Sequence, residues 1–277
     1  MHGRRAFLIG LLTAASGLVA ACGGDPPVPE LTDPREILAA AAATTTAARS
    51  VHVEVRADGS LAIDVTGSGV GAAIELEDST ASADLSLEGG AGRVTFALPG
   101  LLGLRGEVIT IDGTTYVKTT MTGPLYQAIA PGDGAGPAPG GSPDPEVAAS
   151  VLGLLTDLIT HPDLTPVKGA DADCAGTRCY TVAITVTPAQ LAGLVNDGLD
   201  LPDLSGGLPI PVPLPDLTGA TIGLTIHVQK ATGRLDSIAA DIAGGAIGSA
   251  TVGLTFSRWD ESVSIVAPPP DQVRAGG

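Results

Sequence analysis

The chain has 277 residues, with 30 acidic side chains against 14 basic ones and a formal net charge of −16 at pH 7. That balance disfavours nucleic acid and other polyanions as partners and serves solubility first. Hydrophobic residues make up 44% of the chain but aromatic residues only 3%, so the apolar surfaces are built from small and branched side chains, which can surround space as well as fill it.

The chain opens with MHGRRAFLIGLLTAASGLVAACGGDPPVP, where Arg4 and Arg5 precede an uncharged run from Ala6 to Ala21. That run is short for a permanent membrane span and reads as a signal peptide over residues 1–21. Val19-Ala20-Ala21-Cys22 resembles the lipobox of bacterial lipoproteins, which implies that Cys22 is lipidated and becomes the mature N-terminus. A plain signal peptide with an incidental cysteine is the alternative. Arg4-Arg5-Ala6-Phe7-Leu8 is similar to a twin-arginine export motif, so the route out of the cytoplasm is either general or twin-arginine. A diacylglyceryl group supplies two chains at about 0.8 kcal/mol per buried methylene, an effectively permanent anchor on the outer face of the cytoplasmic membrane. Residues 22–32 then form the lipidated cysteine and a flexible tether, because the glycines and prolines from Gly23 to Pro29 suit neither helix nor sheet interior.

Asp33-Pro34-Arg35-Glu36 supplies a cap, a proline at the first helical position and an acidic partner, and predicts a helix through ILAAAAATTTAA. From Val51 the apolar period becomes two. VHVEVRA, LAIDVTG, AAIELED, ADLSLEG and RVTFALP read as successive antiparallel strands joined by glycine-bearing turns at DG, GSGVG and EGGAG. Val53, Ile63, Ile74, Leu85 and Phe96 fall on the apolar face of this meander, and His52, Glu54, Asp64, Glu75 and Glu77 on a wetted one. GEVITIDGTTYVKTT continues it, with a hairpin turn at Asp112-Gly113.

PGDGAGPAPGGSPDP, residues 131–145, is expected to be a flexible loop. EVAASVLGLLTDLITH then sets Val147, Val151, Leu154, Leu155 and Leu158 at helical spacing, a second helix expected to cover the sheet. CYTVAITV is a strand, and PAQLAGLVNDG a short third helix from Pro188. Residues 199–219 alternate apolar residues with prolines and read either as a docked surface loop or as a greasy rim at a ligand entrance. TIGLTIHVQ, RLDSIAADIA, SATVGLTFSRW and SVSIVAP predict four more strands, and residues 268–277 a disordered tail. Cys174 and Cys179, in DCAGTRCY, suit a disulfide outside the cytoplasm, free thiols being the alternative; no second Cys or His pair lies near enough to complete a zinc site.

The expected fold class is α+β: a single domain over residues 33–267, in which a large curved antiparallel sheet forms a half-barrel. Two or three helices would cover its concave side and enclose an apolar cavity. Taken in order, the lipobox, IDGTTYVK, VLGLLTDL, TPAQLAGLV and SRWDESVSIVAPP resemble the LppX/LprAFG family of actinobacterial lipoproteins. That resemblance implies a half-barrel also similar to the carriers LolA and LolB, an acylated lipid or glycolipid as ligand, an envelope lipid transporter as a kind of partner, and no cofactor. The chain departs from the family in its Arg-Arg signal, its Cys174/Cys179 pair, the glycine-proline loop and the 199–219 insertion, which leaves the particular lipid open.

His52, His161 and His227 have no Cys, His or carboxylate at metal-ligand spacing, GSGVG lies between strands with no helix to receive a pyrophosphate, and neither G-x-S-x-G nor a P-loop occurs. No enzymatic device, cofactor or metal is therefore expected. The expected function is lipid binding and carriage across the cell envelope, with Val53, Ile63, Ile74, Leu85, Phe96, Val151, Leu154, Leu155 and Leu158 as lipid contacts. The alternative is a surface lipoprotein with a filled core that serves as a structural or protein-docking module.

Overall fold

The computed structural model describes residues 30–63, 72–129, 156, 158–190, 219–244 and 248–274. Helix α1, Pro34–Thr46, starts where the capping signal placed it: the Asp33 carboxylate accepts the Arg35 N–H at 2.8 Å and Pro34 occupies the first turn. It buries Ile37, Leu38, Ala41, Ala42 and Thr45, a single stripe.

Among the described residues thirteen strands follow: β1 Ser50–Ile63, β2 Ala72–Glu75, β3 Ser79–Ser86, β4 Ala91–Leu98, β5 Leu104–Ile111, β6 Thr114–Thr119, β7 Gln127–Ile129, β8 Val167–Lys168, β9 Ala172–Cys174, β10 Thr177–Val186, β11 Ala220–Gln229, β12 Leu235–Gly244 and β13 Gly248–Ser257. They form one antiparallel, open, curved sheet in the order β7-β6-β5-β4-β3-β1-β13-β12-β11-β10-β8, with β2 also on β1 and β9 also on β10. β1 and β13 lie side by side at its centre, so two meanders from opposite ends of the chain meet there.

VHVEVRA and LAIDVTG, expected as two strands, are one. Gly59 is not a hairpin turn but lies inside β1 with φ +95°, where an added Cβ would come within 2.4 Å of the Ser249 carbonyl oxygen. At this point β1 exchanges its neighbour. It pairs with β3 as far as Ala57 and with β2 from Ser60, so residues 58–59 oppose residues 76–78, and the Leu76 N–H bonds to the Gly59 carbonyl at 2.8 Å. The glycine thus serves a bulge and a close backbone approach, a use that a DG pair does not distinguish from a turn. The Asp112-Gly113 turn is a hairpin as expected, both residues having positive φ.

SVSIVAP, expected as a strand, has no regular structure. β13 stops because Arg258 and Asp260 take positive φ, and Asp260 is held there by the Arg49 N–H and by the Arg234 guanidinium. The expected disordered tail is instead placed as far as Arg274: a 3-10 turn at Pro270–Gln272 leads to a bridge beside β7, where the Tyr126 N–H bonds to the Gln272 carbonyl and the Arg274 N–H to the Tyr126 carbonyl, both at 2.8 Å. Of the other expectations, Asp64, the 131–145 loop, the insertion up to residue 218, and Cys22 with its tether through residue 29 lie outside the described residues. So does the second helix up to Leu155; residues 158–160 are helical, as are 188–190 at the start of the expected third helix.

Two glycines shape the sheet surface. A Cβ at Gly106 would lie 2.5 Å from the Phe96 ring, and one at Gly92 would lie 3.3 Å from Leu85, so both large side chains lie down over a glycine instead of standing off the sheet. Gly106→Val is expected to force the Phe96 ring up and to lower the unfolding free energy by about 1–3 kcal/mol, read from urea denaturation.

Candidate functional site: a half-buried strip on an apolar face

The strand register lines apolar side chains into rows that cross most of the sheet. Val55 lies between Ala81 and Leu254; its row continues through Phe96 to Gly106 in one direction and through Ile238 and Ile226 to Val182 in the other. A second row runs from Phe256 through Val53, Ala83, Val94 and Val108 to Val117. Because strand side chains alternate between faces, both rows belong to one face.

That face is covered unevenly. Over β10, β11 and β12, Val182 and Ile226 are 0% exposed and Ile238 2%, packed in one cluster with Ile37, Leu38 and Ala41 of α1 and with Ile159 and Leu164. Leu158, Val55, Ala83 and Leu254 are partly buried at its margin. Beyond them, Ala81, Val94, Phe96 and Val108 on β3, β4 and β5 are only half-buried, and on the far side of this strip the same face is buried again at Leu104, Val117 and Thr119. Among the described residues α1 is the one helix longer than a single turn, and it packs on β10 and β11, at the far side of the sheet from this patch.

Of the lipid contacts expected from sequence, the register brings Val53, Ile74, Leu85 and Phe96 to this face, with Ile74 opposite Leu61 of β1. Val53 and Leu85 belong to the buried cluster, whereas Phe96 and Ile74 are half-buried. Ile63 opposes Ala72 at the end of β1, and Val151, Leu154 and Leu155 lie outside the described residues. Val94, Val108 and Val55 were missed. Val94 shares the period of Phe96 in RVTFALP and was readable there; Val108 sits in VITI, which is apolar on both faces and gives no period.

The opposite face is mostly polar and paired, with Ile109 as a buried apolar residue on it. The Asp84 carboxylate lies 2.7 Å from His52 Nδ1 and 2.7 Å from the Arg258 guanidinium, while Glu54, Glu75 and Glu77 are exposed. His52 and Asp84 are cross-strand partners separated by 32 residues, a pairing that local spacing does not reveal. His227 Nδ1 lies 3.0 Å from Ser237 Oγ, and His161 Nδ1 accepts the Asp163 N–H at 3.3 Å. Near the β7 edge Glu107 accepts the Tyr126 hydroxyl at 2.6 Å and ion-pairs with Arg93 at 2.5 Å and Lys118 at 3.4 Å. Burial works to raise the Glu107 carboxyl, but the hydrogen bonds from Tyr126 and Arg93 and the charges of Arg93 and Lys118 outweigh it and hold it below the usual range. Asp171 is held low as well, chiefly by its hydrogen bond from Lys230, which also reaches Glu30 at 2.6 Å.

A carboxyl whose pKa is lower in the folded chain stabilises that chain above the ordinary carboxylate value, and this is lost as pH falls through the folded value. The denaturation midpoint is therefore expected to hold from neutral pH to about 4 and to fall below it. Glu107→Gln should make that fall shallower; an identical acid profile in the variant contradicts the assignment.

Cys174 and Cys179 form a disulfide that closes the β9–β10 hairpin, whose turn takes Ala175 and Gly176 through positive φ. Asp236 has a carboxylate oxygen within 4.8 Å of both sulfurs, but the bond leaves no thiolate to ligate a metal. Among the described residues no helix is long and apolar enough to cross a membrane.

No protein-family model matches the chain, and no curated protein does. Solved structures with similar chains include the following three. The Mycobacterium tuberculosis lipoprotein LppX is 15% identical, with 84% of this chain and 98% of that one covered at a TM-score of 0.49. LprF from Mycobacterium bovis is 15% identical, with 85% and 96% covered at 0.48. MucB in complex with MucA(peri) is 16% identical, with 88% and 60% covered at 0.33.

Proposed function

We propose that the protein is a lipoprotein, anchored through Cys22, that lays the acyl chains of a lipid or glycolipid along the β3–β5 part of its apolar face and carries them across the envelope. The observation that supports this reading best is the uneven cover of one continuous apolar face: rows that are fully buried under α1 run on, without a polar break, into Ala81, Val94, Phe96 and Val108, which are half-buried. Keeping an acyl chain out of water is worth about 0.8 kcal/mol per methylene, so a lipid moving between membranes needs such a surface. The four wall residues are apolar, and Thr110 and Thr115 beside them on the same face bond to one another, which fits recognition of chains over headgroups.

A fluorescent fatty acid titrated into the purified protein is expected to bind saturably and to be displaced by unlabelled phospholipid; fluorescence that never saturates contradicts the reading. For the anchor, Cys22→Ala is expected to leave an unprocessed or mislocalised precursor, and normal processing with membrane retention overturns it.

A further inference from the structure

Leu102 is 99% exposed at the tip of the β4–β5 hairpin and takes φ +54°, a left-handed conformation that a leucine adopts at a cost. The turn that imposes it is fully bonded: the Leu101 N–H to the Leu98 carbonyl, the Gly103 N–H to the Pro99 carbonyl and the Leu104 N–H to the Leu101 carbonyl. The loop between β6 and β7 comes to the same end of the sheet, because the Thr120 N–H bonds to the Arg105 carbonyl at 2.9 Å, directly beside that hairpin. It presents Met121, 60% exposed, and Leu125, 36% exposed. Three of the five large exposed hydrophobic side chains among the described residues therefore gather at one corner. A glycine or asparagine at position 102 would satisfy the turn better, so backbone geometry does not account for the leucine.

We propose that this corner seats in the interfacial layer of a phospholipid bilayer. The side chains are aliphatic and exposed on a hairpin tip and its neighbouring loop, which matches a fluid apolar phase better than a folded partner that would have to offer a complementary pocket. The hairpin base leads to the half-buried strip, since Leu98 and the buried Leu104 are paired and share the face of Phe96 and Val108, so acyl chains leaving a bilayer at the tip would reach that strip along one hairpin. Glu30, where the described chain begins, is held by Lys230 at the end of β11, toward the other margin of the sheet, so contact at the tip is separable from whatever the preceding segment does.

The test is Leu102→Trp in the full chain, with phosphatidylcholine vesicles whose acyl chains are brominated. The native Trp259 is 9% exposed and donates to the Leu235 carbonyl, and serves as the internal control; Val266→Trp, at an exposed site in the C-terminal segment, is the second control. The expected result is a blue-shifted emission from position 102 that loses at least half its intensity to the brominated chains, with Val266→Trp unchanged. Adding Met121→Ser should reduce that quenching. Emission from position 102 that stays red and unquenched, or quenching equal at 102 and 266, overturns the proposal. Unquenched emission at position 102 together with saturable binding of the fluorescent fatty acid would overturn this proposal and leave the carrier reading standing, so the two failures are distinguishable.

Discussion

Replacing Ile226 by alanine is expected to lower the unfolding free energy by about 2–5 kcal/mol, which is a large share of the stability of a domain this size. Ile226 is 0% exposed on β11, with Ile238 and Val182 as its cross-strand neighbours, and it belongs to the cluster that α1 closes with Ile37, Leu38 and Ala41. Truncation removes three carbons' worth of apolar burial and leaves a void between a helix and a sheet that cannot easily approach one another. Urea denaturation reads the loss directly. A loss below about 1 kcal/mol would mean that this part of the face is loosely covered, and the distinction between a closed and an accessible part would disappear.

The second large effect is on lipid and not on stability. Val108 lies on the same face between Val94 and Val117, yet it is half-buried. If the space over it is packed with protein, Val108→Trp overfills it and costs about 1–3 kcal/mol. If the space takes acyl chains, the indole occupies that room itself: stability changes by less than about 1 kcal/mol and bound lipid falls by more than half. Glu54→Lys on the opposite, wetted face is the control and should change neither quantity.

Much of this was legible in the sequence, for physical reasons that differ by element. The period of two in VHVEVRA and RVTFALP assigned faces correctly because one side of each strand is less exposed than the other and a slip of one residue would invert every side chain. The α1 start was readable because capping is local chemistry among Asp33, Pro34 and Glu36. What stayed hidden depends on distant partners. Gly59 looks like a turn until Ser249 is placed beside it, and SVSIVAP looks like a strand until Arg49 and Arg234 fix Asp260 in a bend. The site followed the same rule: alternation identified the apolar face, but which part of it α1 covers depends on where β10 and β11 return after more than a hundred residues. Val53 and Leu85 therefore fall inside the closed cluster, and Val94 and Val108 take the position beyond it.

The central claim is that an apolar face left half-covered holds acyl chains. Organic extraction of the purified full-length protein and of Val108→Trp, followed by mass spectrometry against an internal lipid standard, tests it most directly. Acylated lipid is expected in near-stoichiometric amount from the wild type and at less than half of that from the variant, at nearly unchanged stability. No lipid from the wild type, or equal lipid from both with a marked loss of stability in Val108→Trp, would show a filled core and contradict it.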